Sequence, residues 1–331
     1  MNILVTGATG LIGSALVRQL VDQDDTTVRI FRRESSDLDG LGEAADVVEH
    51  AVGDVTDPLS LLEAMDGVDH VYHAAALLGA EAGTSSDAIR EVNVGGTANV
   101  VNAALDTTVQ RLVHTSSMAT LGGPANSDTP IDETARARDA AQQSTYGRSK
   151  VDAELEVHRG IAEGLDAVIV NPSLVFGVGT PGRSTRRLVD SVRGGWLPGV
   201  PPGGTNVVDV EDVALGMRRA MAYGATGERY FLGSQNLSWR TIFQTLAHAF
   251  DVTPPRRTVP PWMLTGLAWI AEGWAFLTRS DPFLSRARAR GLTRTLHFTN
   301  RKAREELGCT FRPFEETADR IAQALRHTST A

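Results

Sequence analysis

The junction between the first apolar run and the first amphipathic stretch constrains this chain more than any other feature. Residues 3–5 are an apolar run of strand length, and within residues 11–21 Leu11, Ala15, Leu16 and Leu20 recur on one helical face. Between them stands Thr6-Gly7-Ala8-Thr9-Gly10-Leu11-Ile12-Gly13. Glycines let such a turn be tight and let backbone approach a pyrophosphate. The helix that follows offers unpaired N–H groups and the positive end of its dipole. The spacing is G-x-x-G-x-x-G rather than the common G-x-G-x-x-G. Between a first strand and a first helix it reads as a dinucleotide-binding turn. Gly7, Thr9, Gly10, Leu11, Ile12 and Gly13 are therefore expected at a cofactor.

Strand-like and helix-like segments alternate through the first half. Strands are expected at residues 28–31, 47–52, 68–76, 109–115 and 167–170, and helices at 58–65, 85–105 and 146–163. Such alternation predicts an α/β fold: a Rossmann, doubly wound parallel sheet whose ligands bind at the carboxyl ends of its strands. Residues 177–204 are rich in Gly, Pro and Arg without clear period, and Pro254-Pro255 and Pro260-Pro261 bracket another loop region. These segments read as insertions covering the sheet. The expected division is a dinucleotide-binding domain at 1–173 and 207–233, with a smaller, mixed substrate lobe at 174–206 and 234–331.

The end of the second strand would lie over the adenosine ribose, where an acid commonly binds the 2′-hydroxyl. Here it reads Phe31-Arg32-Arg33-Glu34. Guanidinium forks suit a 2′-phosphate, so NADP(H) is the expected cofactor, with NAD(H) the alternative. Asp54-Val55 after the third strand is placed to touch adenine. Ala74-Ala75-Ala76 after the fourth is small enough for backbone to pass close to the cofactor.

Tyr146 and Lys150 stand four apart, on one helical face. Free tyrosine titrates near about 10, and a lysine ammonium beside it would favour the phenolate. Tyr146 could then exchange a proton with a substrate oxygen. The fifth strand ends in Thr115-Ser116-Ser117. A hydroxyl there can donate to a developing oxyanion, with Ser117 the first choice and Ser116 the alternative.

Taken together, the TGATGLIG loop, Asp54, His73-Ala74-Ala75-Ala76, Asn93-Val94-Gly95-Gly96-Thr97, Ser116-Ser117, Tyr146 with Lys150, and Asn171-Pro172-Ser173 resemble the extended short-chain dehydrogenase/reductase family. It is also described as the NAD-dependent epimerase/dehydratase family. The likeness runs through roughly residues 1–233. It implies a Ser/Tyr/Lys catalytic set of Ser117, Tyr146 and Lys150, with Lys150 also on the nicotinamide ribose. It further implies Asn93 supporting Lys150 from a helix behind the site, and cofactor contacts from Ser116 and from Asn171, Pro172 and Ser173. A homodimer through the helices around 85–105 and 146–163 is also implied.

Within the family the 4,6-dehydratases carry an Asp-Glu pair after the strand-5 hydroxyl, where this chain has Met118 and Ala119. Sugar-nucleotide epimerases usually show R-x-x-N after strand 6 and an Arg before a V-x-D-V-A motif. This chain has Val170-Asn171-Pro172-Ser173 and Thr205-Asn206-Val207-Val208-Asp209 instead, leaving Arg183, Arg186 or Arg187 as substitutes for a diphosphate. The pattern resembles dihydroflavonol-reductase-like and hopanoid-associated sugar epimerase-like members. The expected activity is hydride transfer between the nicotinamide and a secondary alcohol or ketone. The alternative is a nucleotide-sugar epimerase with retained NAD, and a third reading is a dinucleotide sensor without turnover.

A net charge of −8 argues against nucleic acid as a partner. A lone cysteine, Cys309, and an N-terminus without a leader pattern suit the cytoplasm. His70, His73 and His114 lack carboxylate or thiol neighbours at ligand spacing and are expected to pack, so no metal is expected. Trp262, Trp269 and Trp274, with Met263, Leu264, Leu267, Ile270, Phe276 and Leu277, form a helix apolar nearly all round. Buried core of the second lobe is the first reading. An apolar wall over the substrate is the second. The least expected is contact with a membrane surface, aided by Arg279, Arg286, Arg288, Arg290 and Arg294. No membrane-spanning segment is expected.

Overall fold

In a computed structural model the chain is described at residues 1–78, 85–122, 129–135, 144–180, 184–195, 197, 199–255, 257–278 and 286–327. Side chains at 184, 275–278, 287–288 and 327 are not described. Arg183 and Arg279, and the side chains of Phe276, Leu277 and Arg288, thus lie outside the described residues.

The N-terminal half runs β1 (Asn2–Thr6), α1 (Leu11–Val21), β2 (Thr27–Arg32), β3 (Glu49–Val52), α2 (Pro58–Met65), β4 (His70–His73), α3 (Ser86–Arg90), α4 (Gly96–Asp106), β5 (Arg111–Thr115), α5 (Thr145–Ala162) and β6 (Ala167–Pro172). It continues through β7 (Leu174–Phe176), α6 (Ser184–Arg193), β8 (Gly204–Asp209), α7 (Val210–Tyr223), β9 (Arg229–Leu232), β10 (Gln235–Ser238), α8 (Trp239–Ala249), α9 (Pro261–Thr278), α10 (Arg286–Thr293), α11 (Arg301–Leu307) and α12 (Phe314–His327).

The seven-stranded sheet has the order β3-β2-β1-β4-β5-β6-β9. Every neighbouring pair in it is parallel. All carboxyl ends therefore lie along one edge, which positions every candidate site segment together. Parallel strands covered on both faces read as continuous apolar runs, and Ile3, Leu4 and Val5 are buried accordingly. On one face α1 and α7 pack, with Leu16, Leu20, Val213 and Met217 in the core; on the other, Leu61, Val100, Val101 and Val157 come from α2, α4 and α5. Each such side chain contributes roughly 1.5–3 kcal/mol on full burial. Local signals set the ends of these elements. Pro58 opens α2 behind Asp57, whose carboxylate accepts from the Leu59 N–H. Ser144 caps α5 through the Gly147 N–H at 3.1 Å.

The smaller sheet has the order β10-β8-β7, with β7 parallel and β10 antiparallel to β8. Three local readings need correction. β4 ends at His73, because Ala74 and Ala75 turn across Gly7. The helix expected at 85–105 is broken by one π-helical turn, Glu91–Gly95, which carries Asn93. Residues 177–204, without visible period, hold α6, which the Arg186–Asp190 pair spans at 2.8 Å.

Candidate active site

The glycine loop is built by close approach. Gly7 has a φ of +68°, and a Cβ on it would lie 2.5 Å from the Ala75 nitrogen. A Cβ on Gly13 would lie 2.1 Å from the Gly7 carbonyl oxygen. Loop, helix and the Ala74-Ala75 segment are thus pressed together by absent side chains. Gly10, the exposed residue at the start of α1, makes no side-chain cap, and Thr9, Leu11 and Ile12 are half-buried beside it. The first N–H groups of α1 therefore open toward solvent at the sheet's carboxyl edge, as a pyrophosphate would need.

The other expected cofactor residues fall along that edge. Asp54 follows β3, its Oδ1 accepting from the Thr56 N–H and hydroxyl at 2.9 and 2.8 Å. Val55 is buried beneath Gly96. At the end of β2, Arg33 is exposed, whereas Arg32 donates through Nε to His50 Nδ1 on β3 at 2.9 Å. Pro172 ends β6, and the Ser173 hydroxyl beside it is buried with no protein partner among the described residues. A glycine cradle and an unpartnered buried hydroxyl on one edge fit a dinucleotide laid across it.

Tyr146 and Lys150 lie on the first turns of α5. Ser117 follows β5 and caps a short 3-10 turn, Met118–Thr120. The nearby Ser117 hydroxyl favours the Tyr146 phenolate, but burial of the phenol outweighs it and raises the Tyr146 pKa. The expectation that Lys150 lowers that pKa is corrected here. The Lys150 ammonium is buried and donates to the Thr115 carbonyl at 2.7 Å, so its charge is held at β5. Burial pushes Lys150 down to about 8, while the Glu154 charge opposes that fall.

Glu154 was missed in the sequence. It lies one further turn along the Tyr146–Lys150 face, buried, and its Oε1 accepts from Ser116, Thr120 at 2.8 Å and Asn171 at 2.8 Å. Arg229 approaches Oε2 at 3.4 Å. A buried carboxylate is tolerated only when so paired. The side chains of two expected cofactor residues, Ser116 and Asn171, bond within this cluster. The readable signal was spacing: an acid at i+8 from Tyr146 falls on the buried face of the helix.

Asn93 clamps the loop after β4. Its side chain accepts from the Leu77 N–H at 2.7 Å and donates to the Leu77 carbonyl and Ser149 hydroxyl at 3.0 and 2.8 Å. It thereby braces the residue preceding Lys150. Behind it, Thr6 and Thr97 hydrogen-bond the two nitrogens of His73 at 2.7 and 3.0 Å. Burial lowers His73 to about 3 and holds His114 far below the ordinary histidine range, so both rings are neutral. Cys309 is buried, its thiol pushed up to about 11.

The profile of the NAD dependent epimerase/dehydratase family matches residues 3–233. The chain belongs to that family. It is 32% identical over 319 residues to the sterol demethylase protein B of Methylococcus capsulatus, covering 93% of each chain. To a putative dihydroflavonol 4-reductase of Synechocystis it is 31% identical over 312 residues, covering 92% of this chain and 88% of the relative. The solved structure of gox2253 superposes with a TM-score of 0.85 at 33% identity, covering 98% of both chains. As a member of this family the protein is an NAD(P)-dependent extended short-chain dehydrogenase/reductase, a hydride-transfer enzyme.

Proposed function

We propose that this protein is an NADP(H)-preferring reductase or dehydrogenase acting on a secondary alcohol or ketone within an apolar substrate. The observation that carries the reading is Tyr146 set beside the Ser117 hydroxyl and one helical turn from a buried Lys150, with Met118 next to Ser117 packed against Leu121, Ile131 and Phe298. No acid or base follows the strand-5 hydroxyl, so elimination chemistry has no proton carrier there.

When bound, the nicotinamide supplies or accepts the hydride. The chain does the rest. Tyr146 passes its hydroxyl proton to the substrate oxygen in reduction and takes one back in oxidation. Ser117 donates a hydrogen bond to that oxygen as charge develops. Lys150, charged below pH 8 and anchored on the Thr115 carbonyl, holds the ribose. The glycine loop holds the pyrophosphate. Arg33, exposed at the end of β2, meets the 2′-phosphate, with Arg32 steadied beside it by His50.

One relative shares the direction of this reading by name, the putative dihydroflavonol 4-reductase, and the sterol demethylase protein is named for an apolar substrate. The alternative, a nucleotide-sugar epimerase with retained NAD, needs cations for a diphosphate. Arg186 is engaged by Asp190 and by the Val178 carbonyl at 2.9 Å, which speaks against it as the substitute. Residues 174–206 and 234–331 are assigned to substrate, and residues 1–173 and 207–233 to dinucleotide. A homodimer through α3–α5 and a cytoplasmic setting without a nucleic-acid partner complete the proposal.

The test is to denature freshly purified protein, identify released nucleotide by mass spectrometry, and then titrate NADPH and NADH. An empty protein binding NADPH more tightly, with Arg33→Ala erasing at least about tenfold of that preference, supports the proposal. Stoichiometric retained NAD(H) would establish the epimerase reading instead.

A further inference from the structure

Helix α9 is bare. Among its described side chains only Leu264, Ala268 and Ala271, spaced i, i+4 and i+7, are buried, and the first two pack with Val259, Ala289 and Leu292. The rest of the helix carries large apolar side chains into solvent: Trp262 at 74% exposure, Met263 at 38%, Leu267 at 43%, Trp269 at 59%, Ile270 at 70% and Trp274 at 69%. Met263, Leu267, Ile270 and Trp274 fall on one stripe by helical spacing, with Trp262 and Trp269 beside it. The chain's other exposed large apolar residues stand singly in the sequence, as is ordinary for a protein surface.

The charge of the sequence flanking this helix is equally unusual. Residues 252–300 hold seven arginines and two acids, in a chain of net charge −8. One of the two acids, Glu272, is neutralised by Arg286 at 2.6 Å, and Arg286 also lies 4.2 Å from the centre of the Trp269 ring. Arg290 is exposed one turn further along α10. An apolar tryptophan face flanked by arginines, in an otherwise acidic protein, complements a surface that is apolar within and anionic at its rim. An acidic second copy offers the charge but not the depth of hydrocarbon. No helix among the described residues is long and apolar enough to cross a membrane.

We propose that α9, with the arginines of α10, docks the protein onto the surface of an anionic lipid bilayer. The helix lies in the plane of the interface, its Trp and Ile side chains in the headgroup–acyl boundary. The arginines face lipid phosphate, each strengthening binding by about fivefold near an anionic surface. This inference stands on the outer face of the substrate region and does not depend on which reaction the site performs.

The experiment is vesicle flotation of the full chain with phosphatidylcholine alone and with about 30 mol % phosphatidylglycerol, followed by tryptophan emission. Wild type is expected to float with the anionic vesicles at low salt and to shift its emission to the blue. High salt or Arg290→Gln should weaken it. The triple variant Trp262→Ser/Ile270→Ser/Trp274→Ser should partition at least about tenfold less, with unchanged circular dichroism and cofactor binding. Trp262→Ser and Ile270→Ser singly repeat the test should the triple variant misfold. Absence of flotation on either vesicle, or equal partition of wild type and these variants, would overturn the proposal. A wild-type dimer in sedimentation velocity that the variants split would do the same, since a second copy would then cover the face.

Discussion

Helices α1 and α9 are both strongly apolar, yet the fold treats them in opposite ways. In α1, Ala15, Leu16, Val17 and Leu20 are buried between the sheet and α7. In α9 a stripe of three residues is covered and the tryptophans are not. The difference is one of supply. A parallel sheet needs helices on both faces, so α1 has a cover waiting in the strand beside it. α9 lies beyond the sheet, and its buried residues pack on α10 and a flanking loop among the described residues. Apolar composition states that a helix seeks cover; neighbouring elements decide whether it gets any.

The comparison predicts that substitutions at the loop and α5 end are costly and those on α9 nearly silent in the isolated protein. Tyr146→Phe should lower kcat by about two to four orders of magnitude with cofactor affinity retained; steady-state kinetics beside a nucleotide titration checks this. Gly13→Val should cost about 3 kcal/mol or more and abolish dinucleotide binding, since its Cβ meets the Gly7 carbonyl. Thermal unfolding with and without NADPH measures both.

Lys150 gives a pH signature. Its folded pKa of about 8 lies below the ordinary 10.5. Burying the charge therefore costs stability in full below pH 8, and that cost is relieved as pH rises from 8 toward 10.5. Wild type should gain stability over Lys150→Met across that window, as denaturant unfolding at several pH values would record. Glu154→Gln removes the charge that opposes the fall of Lys150, so any alkaline limb of the rate profile set by Lys150 should move to lower pH. An unmoved limb would mean Glu154 serves only the packing of its cluster. Smallest of all, Ile270→Ser should change stability by no more than about 0.5 kcal/mol. A larger loss would mean that α9 is covered after all, and the contrast with α1 would fail.

Much of this was legible beforehand. The strand and helix order, the glycine loop at the first turn and the Tyr146–Lys150 face all follow from local spacing, because period and glycine placement are properties of short segments. The break at Asn93 was not legible: a π turn inserts without changing the apolar pattern around it. The exposure of α9 was expected as burial, since a helix apolar nearly all round normally finds a core. The partners of Lys150 were also misassigned. Four-residue spacing places Tyr146 and Lys150 on one face, but the carbonyl of Thr115 that takes the ammonium comes from 35 residues earlier.

What the sequence by itself determined was the class of fold, the place of the glycine turn and the shared helical face of Tyr146 and Lys150. These depend on periodicity, on glycine where backbone must meet backbone, and on residue chemistry, all local. What only the tertiary structure decided was which hydroxyls Glu154 takes, what holds Lys150 and where Glu154 puts its charge. Those depend on side chains from β5, α5, β6 and β9 meeting in one buried volume. Burial strengthens their fields and penalises any left unpaired, so the pairing is settled by the packing of distant segments.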